Sequence, residues 1–213
     1  MSTPLRILLV DDHAVVRMGF RLLLETTADL RVVAECSQGE EALRRYPEIL
    51  PDVVVLDLSM EGMGGLETLT RLRAKHPEAR VLVLSAHEDT LHPRHALGAG
   101  ALGYLTKRSA AEALIDAIRQ VAAGKPFLEP ALAQEIALQN LGPAQSPLDA
   151  LSPREFEIFV MLARGQSVNE IAETLFISPR TAGTHLYNIK QKLGAGNAAE
   201  LTLIAIRHGL ITA

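Results

Sequence analysis

Four short apolar runs in this chain each lead into a side chain suited to phosphate chemistry. Ile7-Leu8-Leu9-Val10 leads into Asp11 and Asp12, and Val53-Val54-Val55-Leu56 into Asp57. Val81-Leu82-Val83-Leu84 leads into Ser85, and the run from Ala101 to Leu105 ends near Lys107. Apolar runs alternating with helical stretches read as parallel strands covered on both faces. Ligands of such sheets bind outside the carboxyl ends of the strands. The three acids, the hydroxyl and the lysine are therefore expected to converge. Clustered carboxylates repel one another unless a divalent cation stands among them, and hard oxygen donors favour Mg2+. The lysine offers a point charge to a phosphoryl oxygen. A single strand-end Asp is most often a loop cap, but that reading does not cover five such residues in this order.

The elements that must position them follow from periodicity. Strands are expected near 5–10, 30–35, 52–57, 79–84 and 101–105, with helices near 13–26, 38–46, 64–75, 90–98 and 110–123. That pattern supports an alternating α/β class. Gly98, Gly100 and Gly103 mark a tight connection into the last strand, and Gly124 reads as a helix C-cap. From Lys125 to Ala150 the chain is punctuated by Pro126, Pro130, Pro143 and Pro147. Ala131 to Leu141 reads as a short amphipathic helix closed by Gly142, and Gln145-Ser146-Pro147 as the best flexible point.

The tail shows four helix starts. Ser152-Pro153-Arg154-Glu155 and Ser167-Val168-Asn169-Glu170 have the form of capping boxes, Ser178-Pro179 opens a third helix, and Asn197-Ala198-Ala199-Glu200 a fourth. The second and third are close together, joined through Leu175-Phe176-Ile177, which is the spacing of a helix-turn-helix with the third helix as the reader. On that helix Ala182, Leu186, Ile189 and Leu193 form the core side. Thr181, Thr184, Asn188 and Gln191 lie broadly opposite, flanked by Arg180, Tyr187 and Lys192. Asn and Gln can read adenine edges, while Arg180 and Lys192 can hold phosphates.

In the order and spacing of Asp11-Asp12, Asp57, Ser85 and Lys107, the first 125 or so residues resemble the receiver domain of bacterial two-component response regulators. The tail resembles the DNA-binding domain of the NarL/FixJ (LuxR-type) family. Ala133 to Leu138, Val168 to Ile171, and the stretch from Glu200 to Gly209 are most similar to the group that includes GacA and UvrY. The resemblance implies a flavodoxin-like, five-stranded parallel sheet of order 2-1-3-4-5 joined to four all-α helices. The implied divisions are a receiver over 1–125, a linker with a short helix over 126–147 and a DNA-binding domain over 148–213. It also implies Asp57 as the phosphoacceptor, with Mg2+ held by Asp11, Asp12, Asp57 and the Ser59 carbonyl, and Ser85, Tyr104 and Lys107 as the switch. A sensor histidine kinase and double-stranded promoter DNA are the implied partners. A homodimer on phosphorylation is expected, with Leu201, Ile204 and Ala205 of the last helix as its interface in the tail.

Two departures stand out. Similar receivers usually carry Pro where Glu61 stands. Related reading helices commonly carry a basic or polar residue at Gly183, where glycine inside a helix costs about 1 kcal/mol against alanine.

Composition bounds these readings. At 213 residues, 48% of them apolar, the chain can build one large or two modest cores. The longest apolar runs fall far short of a membrane span. The lone Cys36 and the lack of a basic-then-apolar leader point to a reducing cytoplasm. Residues 148–213 hold six basic and six acidic side chains, so the first 147 residues carry the whole net charge of −4. Phosphate neutralisation supplies much of DNA affinity, so a neutral tail should bind weakly as one copy. The competing readings are a phosphorylation-independent regulator using its receiver as a dimer module, and a phosphatase of the haloacid dehalogenase type. The adjacent Asp11-Asp12 pair and the attached helix-turn-helix argue against the latter, so enzymatic turnover on an external substrate is not expected.

Overall fold

The structure is a computed structural model, describing residues 3–87, 89–140 and 146–211. Leu141, Gly142, Pro143 and Gln145, invoked above for a helix stop and a flexible point, lie outside the described residues. The chain divides into two compact units, Met1–Glu135 and Ile136–Ala213.

The first unit is a parallel sheet of order β2-β1-β3-β4-β5-β6. Its strands are β1 (Leu5–Val10), β2 (Leu30–Cys36), β3 (Val53–Asp57), β4 (Val81–Ser85), β5 (Gly103–Thr106) and β6 (Phe127–Leu128). Between them run α1 (Ala14–Leu24), α2 (Gly39–Ile49), α3 (Gly65–Lys75), α4 (Leu91–Gly98) and α5 (Ala110–Ala122). Alternate strand residues face opposite sides. Ile7, Leu9, Val53, Val55, Leu82, Leu84 and Leu105 pack with Leu24 of α1 and Leu114, Ile118 and Val121 of α5. Val54, Leu56, Val81 and Val83 face the other way and are equally buried. With both faces covered, the strands are continuous apolar runs rather than alternating ones.

Two differences from expectation have local causes. The sheet has a sixth strand, because Phe127 N–H donates to the Leu102 carbonyl (3.1 Å) and Phe127–Leu128 pair with Gly103–Tyr104. Two residues flanked by prolines carry no period to read. Helix α2 runs through Pro47 to Ile49 instead of stopping at residue 46, and ends where Leu50 takes a left-handed conformation (φ 44°).

The described residues of the second unit hold a 3-10 turn (Pro147–Ala150) and helices α7 (Pro153–Ala163), α8 (Val168–Thr174), α9 (Pro179–Leu193) and α10 (Ala198–Arg207). Both capping boxes form, with Ser152 and Ser167 accepting from Glu155 and Glu170 N–H while those side chains return to the serine N–H. Phe156, Phe159, Ile171, Ile189 and Leu201 supply its core. Helix α6 (Pro130–Asn140) spans the boundary between the units, with Leu132 buried and Leu138 exposed.

Gly64 and Gly65 bring α3 against the back of the third strand. Gly65 N–H donates to the Leu58 carbonyl at 3.1 Å, and a Cβ at Gly65 would lie 2.2 Å from the Asp57 carbonyl oxygen. Backbone cannot yield as a side chain does. Gly65→Ala is therefore expected to destabilise the first unit by about 1–3 kcal/mol, the usual cost of overpacking, read as a lower denaturant midpoint at unchanged m.

Candidate functional site

Sheet register sets the site. Asp57 lies level with Leu84, and Ser85 with Thr106, while Val10 lies level with Leu56. Asp11, Asp57, Ser85 and Lys107 therefore stand at or just past adjacent strand ends. Asp11, Asp57 and Ser85 are buried, at 4%, 1% and 0% exposure. Lys107 Nζ lies 2.8 Å from Asp11 Oδ2 and 2.8 Å from Asp57 Oδ2, and its own N–H donates to the Ser85 carbonyl. Asp57 Oδ1 accepts from Ser59 N–H at 3.1 Å, and Asp11 Oδ1 from His13 N–H at 2.8 Å.

Burial pushes the Asp57 carboxyl above its ordinary pKa, with the Lys107 bonds opposing and the Asp11 charge assisting. Burial alone would lower the Lys107 ammonium, but its bonds to Asp11 and Asp57 raise it overall. Lysine neutralises one carboxylate of three. Asp11, Asp12, His13 and Asp57 bring donor atoms within 4.8 Å of one another. Asp12 Oδ2 accepts from Glu61 N–H at 3.1 Å, while its Oδ1 is buried without a hydrogen-bond partner. His13 Nδ1 lies 2.6 Å from that oxygen. An orphaned carboxylate oxygen beside two more carboxylates suits a hard divalent cation.

Tyr104 is fully buried, and its hydroxyl donates to the His87 carbonyl at 3.1 Å. Burial holds its phenol well above the ordinary value, partly offset by a bond to Ser85. Ser85 Oγ also accepts from His87 N–H at 3.1 Å. The β4–α4 loop that follows is held by Asp89, whose carboxylate accepts from Leu91 and His92 N–H and lies 2.6 Å from His92 Nδ1. Burial opposes that charge, but the His92 bonds hold its pKa down to about 2. His87 stacks on His92 with ring centroids 3.7 Å apart and planes 10° from parallel. Parallel rings do not aim their nitrogens at one point, so this donor group reads as a packed loop. Glu61 is exposed, and its N–H donates to Asp12 at the site.

Three features at the site escaped the motif. Arg17 of α1 donates to the Asp11 carbonyl; a lone Arg on a helix carries no signal. Gly64-Gly65, seven and eight residues after Asp57, is legible in the sequence as a close approach of backbone. Glu129 binds beside Lys107 from a segment read only as a joint.

In the second unit, Ser178 caps α9 by accepting from Thr181 N–H at 3.0 Å. Arg180, Thr181, Thr184, Tyr187 and Gln191 are exposed, whereas Gly183 and Asn188 are half-buried. Lys192, expected to hold a phosphate, bonds Glu155 Oε2 at 2.6 Å and so pins α9 to α7. Burial opposes the Glu155 charge, but Lys192 and the Ser152 cap lower its pKa overall. Leu201 and Ala205, offered above as interface residues, are fully buried beneath α10, which packs on α7. That is a correction: the apolar stripe that marked them is the helix's own core face. Ile204 is only partly exposed, and the large apolar side chain that this helix exposes is Leu203.

Residues 7–119 match the response regulator receiver domain family, and residues 149–205 match the luxR family of bacterial regulatory proteins. The chain belongs to the response regulators. Over 211 residues it is 40% identical to the response regulator GacA of Pseudomonas aeruginosa, covering 98% of this chain and 99% of that one. It is 39% identical to UvrY of Escherichia coli K12, covering 98% and 97%. The crystal structure of ChrA, a response regulator of a heme-sensing two-component system, is 38% identical and superposes with a TM-score of 0.54, over 99% of this chain and 100% of that one. A response regulator that joins a receiver to a luxR-type domain is a phosphorylation-controlled, DNA-binding transcription regulator.

The α9 geometry yields a test for this response regulator's glycine. A Cβ at Gly183 would meet nothing within 4 Å. Gly183→Ala should therefore stabilise the second unit by up to about 1 kcal/mol through helix propensity, read as a higher denaturant midpoint. If the bare backbone serves close approach to DNA, the same variant should bind promoter DNA more weakly while being more stable.

Proposed function

We propose that Asp57 is the phosphoacceptor of this response regulator, and that the observation carrying this reading is the bridge of Lys107 Nζ between Asp57 and Asp11 at 2.8 Å each. Asp11, Asp12, Asp57 and the Ser59 carbonyl would hold Mg2+, which when bound supplies the positive charge that offsets clustered carboxylates and phosphoryl oxygens. A carboxylate oxygen of Asp57 attacks the phosphorus of a phosphohistidine on a sensor kinase as the P–N bond breaks, and the imidazole leaves. Lys107 then transfers its contact from the Asp57 carboxylate to the phosphoryl group. Ser85 Oγ turns toward a phosphoryl oxygen, and the His87 carbonyl that holds Tyr104 moves with that loop. Apart from forming and hydrolysing its own acyl phosphate, the protein turns over no substrate on this reading.

The proposed division is a receiver over 1–125, a linker over 126–147 and a DNA-binding domain over 148–213. Helix α9 enters the major groove, with Arg180, Thr181, Thr184, Tyr187 and Gln191 presented outward and Asn188 and Gly183 behind them. Lys192 acts first as the strut to Glu155, so it contributes less to phosphate contact than its charge suggests. The tail as a whole stays neutral, with six basic and six acidic side chains. Binding is therefore dimeric, because two domains on neighbouring half-sites share one association cost. Phosphorylation need shift the balance by only about 1–3 kcal/mol. Action on promoter DNA, the single reduced-type Cys36, buried with its thiol pushed up to about 11 by burial, and the absence of any described helix long and apolar enough to cross a membrane all accord with a cytoplasmic protein.

Incubation with a small phosphodonor and Mg2+ should add one phosphoryl mass to the intact protein, and none to Asp57→Asn. Chelating the metal should abolish the adduct. An adduct that survives the substitution removes Asp57 from this role.

Titration of a labelled promoter across a salt series should give cooperative, steep binding for the phosphorylated full chain and weak binding with a shallow salt slope for residues 148–213 alone. Equal affinity of the isolated tail, bound as a monomer, would exclude the dimeric mechanism.

A further inference from the structure

One carboxylate outside the phosphoacceptor cluster gathers an unusual number of bonds. Glu129 Oε1 accepts from the Thr106 N–H at 2.8 Å and lies 3.0 Å from Thr106 Oγ1, while Oε2 accepts from Ser109 Oγ at 2.9 Å. Thr106 Oγ1 also lies 3.0 Å from Ser109 Oγ. Thr106 and Ser109 bracket Lys107. The side chain therefore grips both ends of the turn that carries the lysine of the site.

The main chain of the same residue does something else. Pro130 opens α6 at its first position, where proline is tolerated, which makes Glu129 the residue before the helix. Its carbonyl accepts from Ala133 N–H at 2.8 Å, the first bond of α6. Serine, threonine, aspartate or asparagine would normally stand there and cap the helix with its side chain. Here a longer acid stands there and its side chain is engaged with the β5–α5 turn instead. Just ahead of it, Leu128 of β6 lies level with Tyr104 of β5. Residues 127–129 thus join the Lys107 turn and the Tyr104 strand to the start of the helix that leads toward the second unit.

We propose that Glu129 is a positioning residue that hands displacement of the Lys107 turn to the start of α6. When Lys107 moves onto a phosphoryl group, Thr106 moves with it. The Glu129 carboxylate follows, because three donors on that turn hold it. The α6 N-terminus follows Glu129 through its carbonyl. Glu129 contacts neither Asp57 nor the reacting atoms, and its part is to make the linker respond. This inference rests on Asp57 phosphorylation controlling DNA binding.

Full-length wild type, Glu129→Ala and Glu129→Gln are phosphorylated to equal phosphoryl content by intact mass, and their promoter affinity is compared with that of the unphosphorylated forms. Glutamine keeps an oxygen for the Thr106 N–H and offers its amide to Ser109 Oγ, so it should rescue. Wild type and Glu129→Gln should gain affinity on phosphorylation by a factor in the range of about 5–150. Glu129→Ala should gain less than about twofold, below that whole range, with unphosphorylated affinity unchanged. A purely stabilising contact would instead lower affinity equally in both states. An undiminished gain in Glu129→Ala overturns the inference and leaves Asp57 control standing. No gain in wild type overturns both. Should Glu129→Ala fail to fold, hydrogen exchange in the wild type decides. Phosphorylation should change protection over 104–109 and 127–133 together, and a change confined to 104–109 overturns the role of Glu129.

Discussion

The ammonium of Lys107 between Asp11 and Asp57 is the constraint from which the rest of the receiver unit follows. Removing a carboxylate from water costs several kcal/mol unless it is paired, and Asp57 is almost wholly buried. The lysine lies fifty residues from Asp57 and ninety-six from Asp11 in the chain. It can reach both only if β1, β3 and β5 are held in one register, with β4 between the last two. The sheet order and the buried strands are what hold it there. Because one cation cannot neutralise three carboxylates, the same arrangement leaves a demand for positive charge that Asp12 Oδ1 makes visible.

That tension suits a switch. The groups that stabilise the unphosphorylated arrangement are the groups a phosphoryl oxygen would recruit, so adding it redistributes bonds rather than creating new ones. Lys107 is tied by its N–H to Ser85, Ser85 by its hydroxyl to the His87 N–H, and the His87 carbonyl to Tyr104. A change at Asp57 has a short covalent and hydrogen-bonded route to the far side of β5, where Leu128 lies beside Tyr104. Coupling needs such an element with two arrangements, and a loop held by hydrogen bonds is easier to rearrange than packed helices.

The DNA-binding unit solves a different problem. It is electrically neutral, and among its six cations Arg154 pairs with Glu157 and Lys192 with Glu155. These pairs fix α7, α8 and α9 to one another, since Arg154 also reaches the Leu175 carbonyl. Rigidity of the reading helix is obtained at the expense of free positive charge.

By itself the sequence determined the two architectures, the strand ends and the chemistry gathered there. Strand runs, capping boxes and the order of acids, hydroxyl and lysine are local signals, written within a few residues of the groups they concern. Tertiary structure decided what depends on packing between distant segments. Leu201 and Ala205 match an interface stripe as well as a core stripe, and only the position of α7 shows that they are core. Lys192 offers a charge in the sequence, but its partner Glu155, thirty-seven residues away, is supplied only by the fold. Two residues, Phe127 and Leu128, have no period of their own and become a strand only because β5 offers an edge. Glu129 looks like any linker acid until the turn after β5 presents three donors to it. In each case the side chain's identity was legible and its partner was not, because the partner is chosen by the fold rather than by neighbours in the chain.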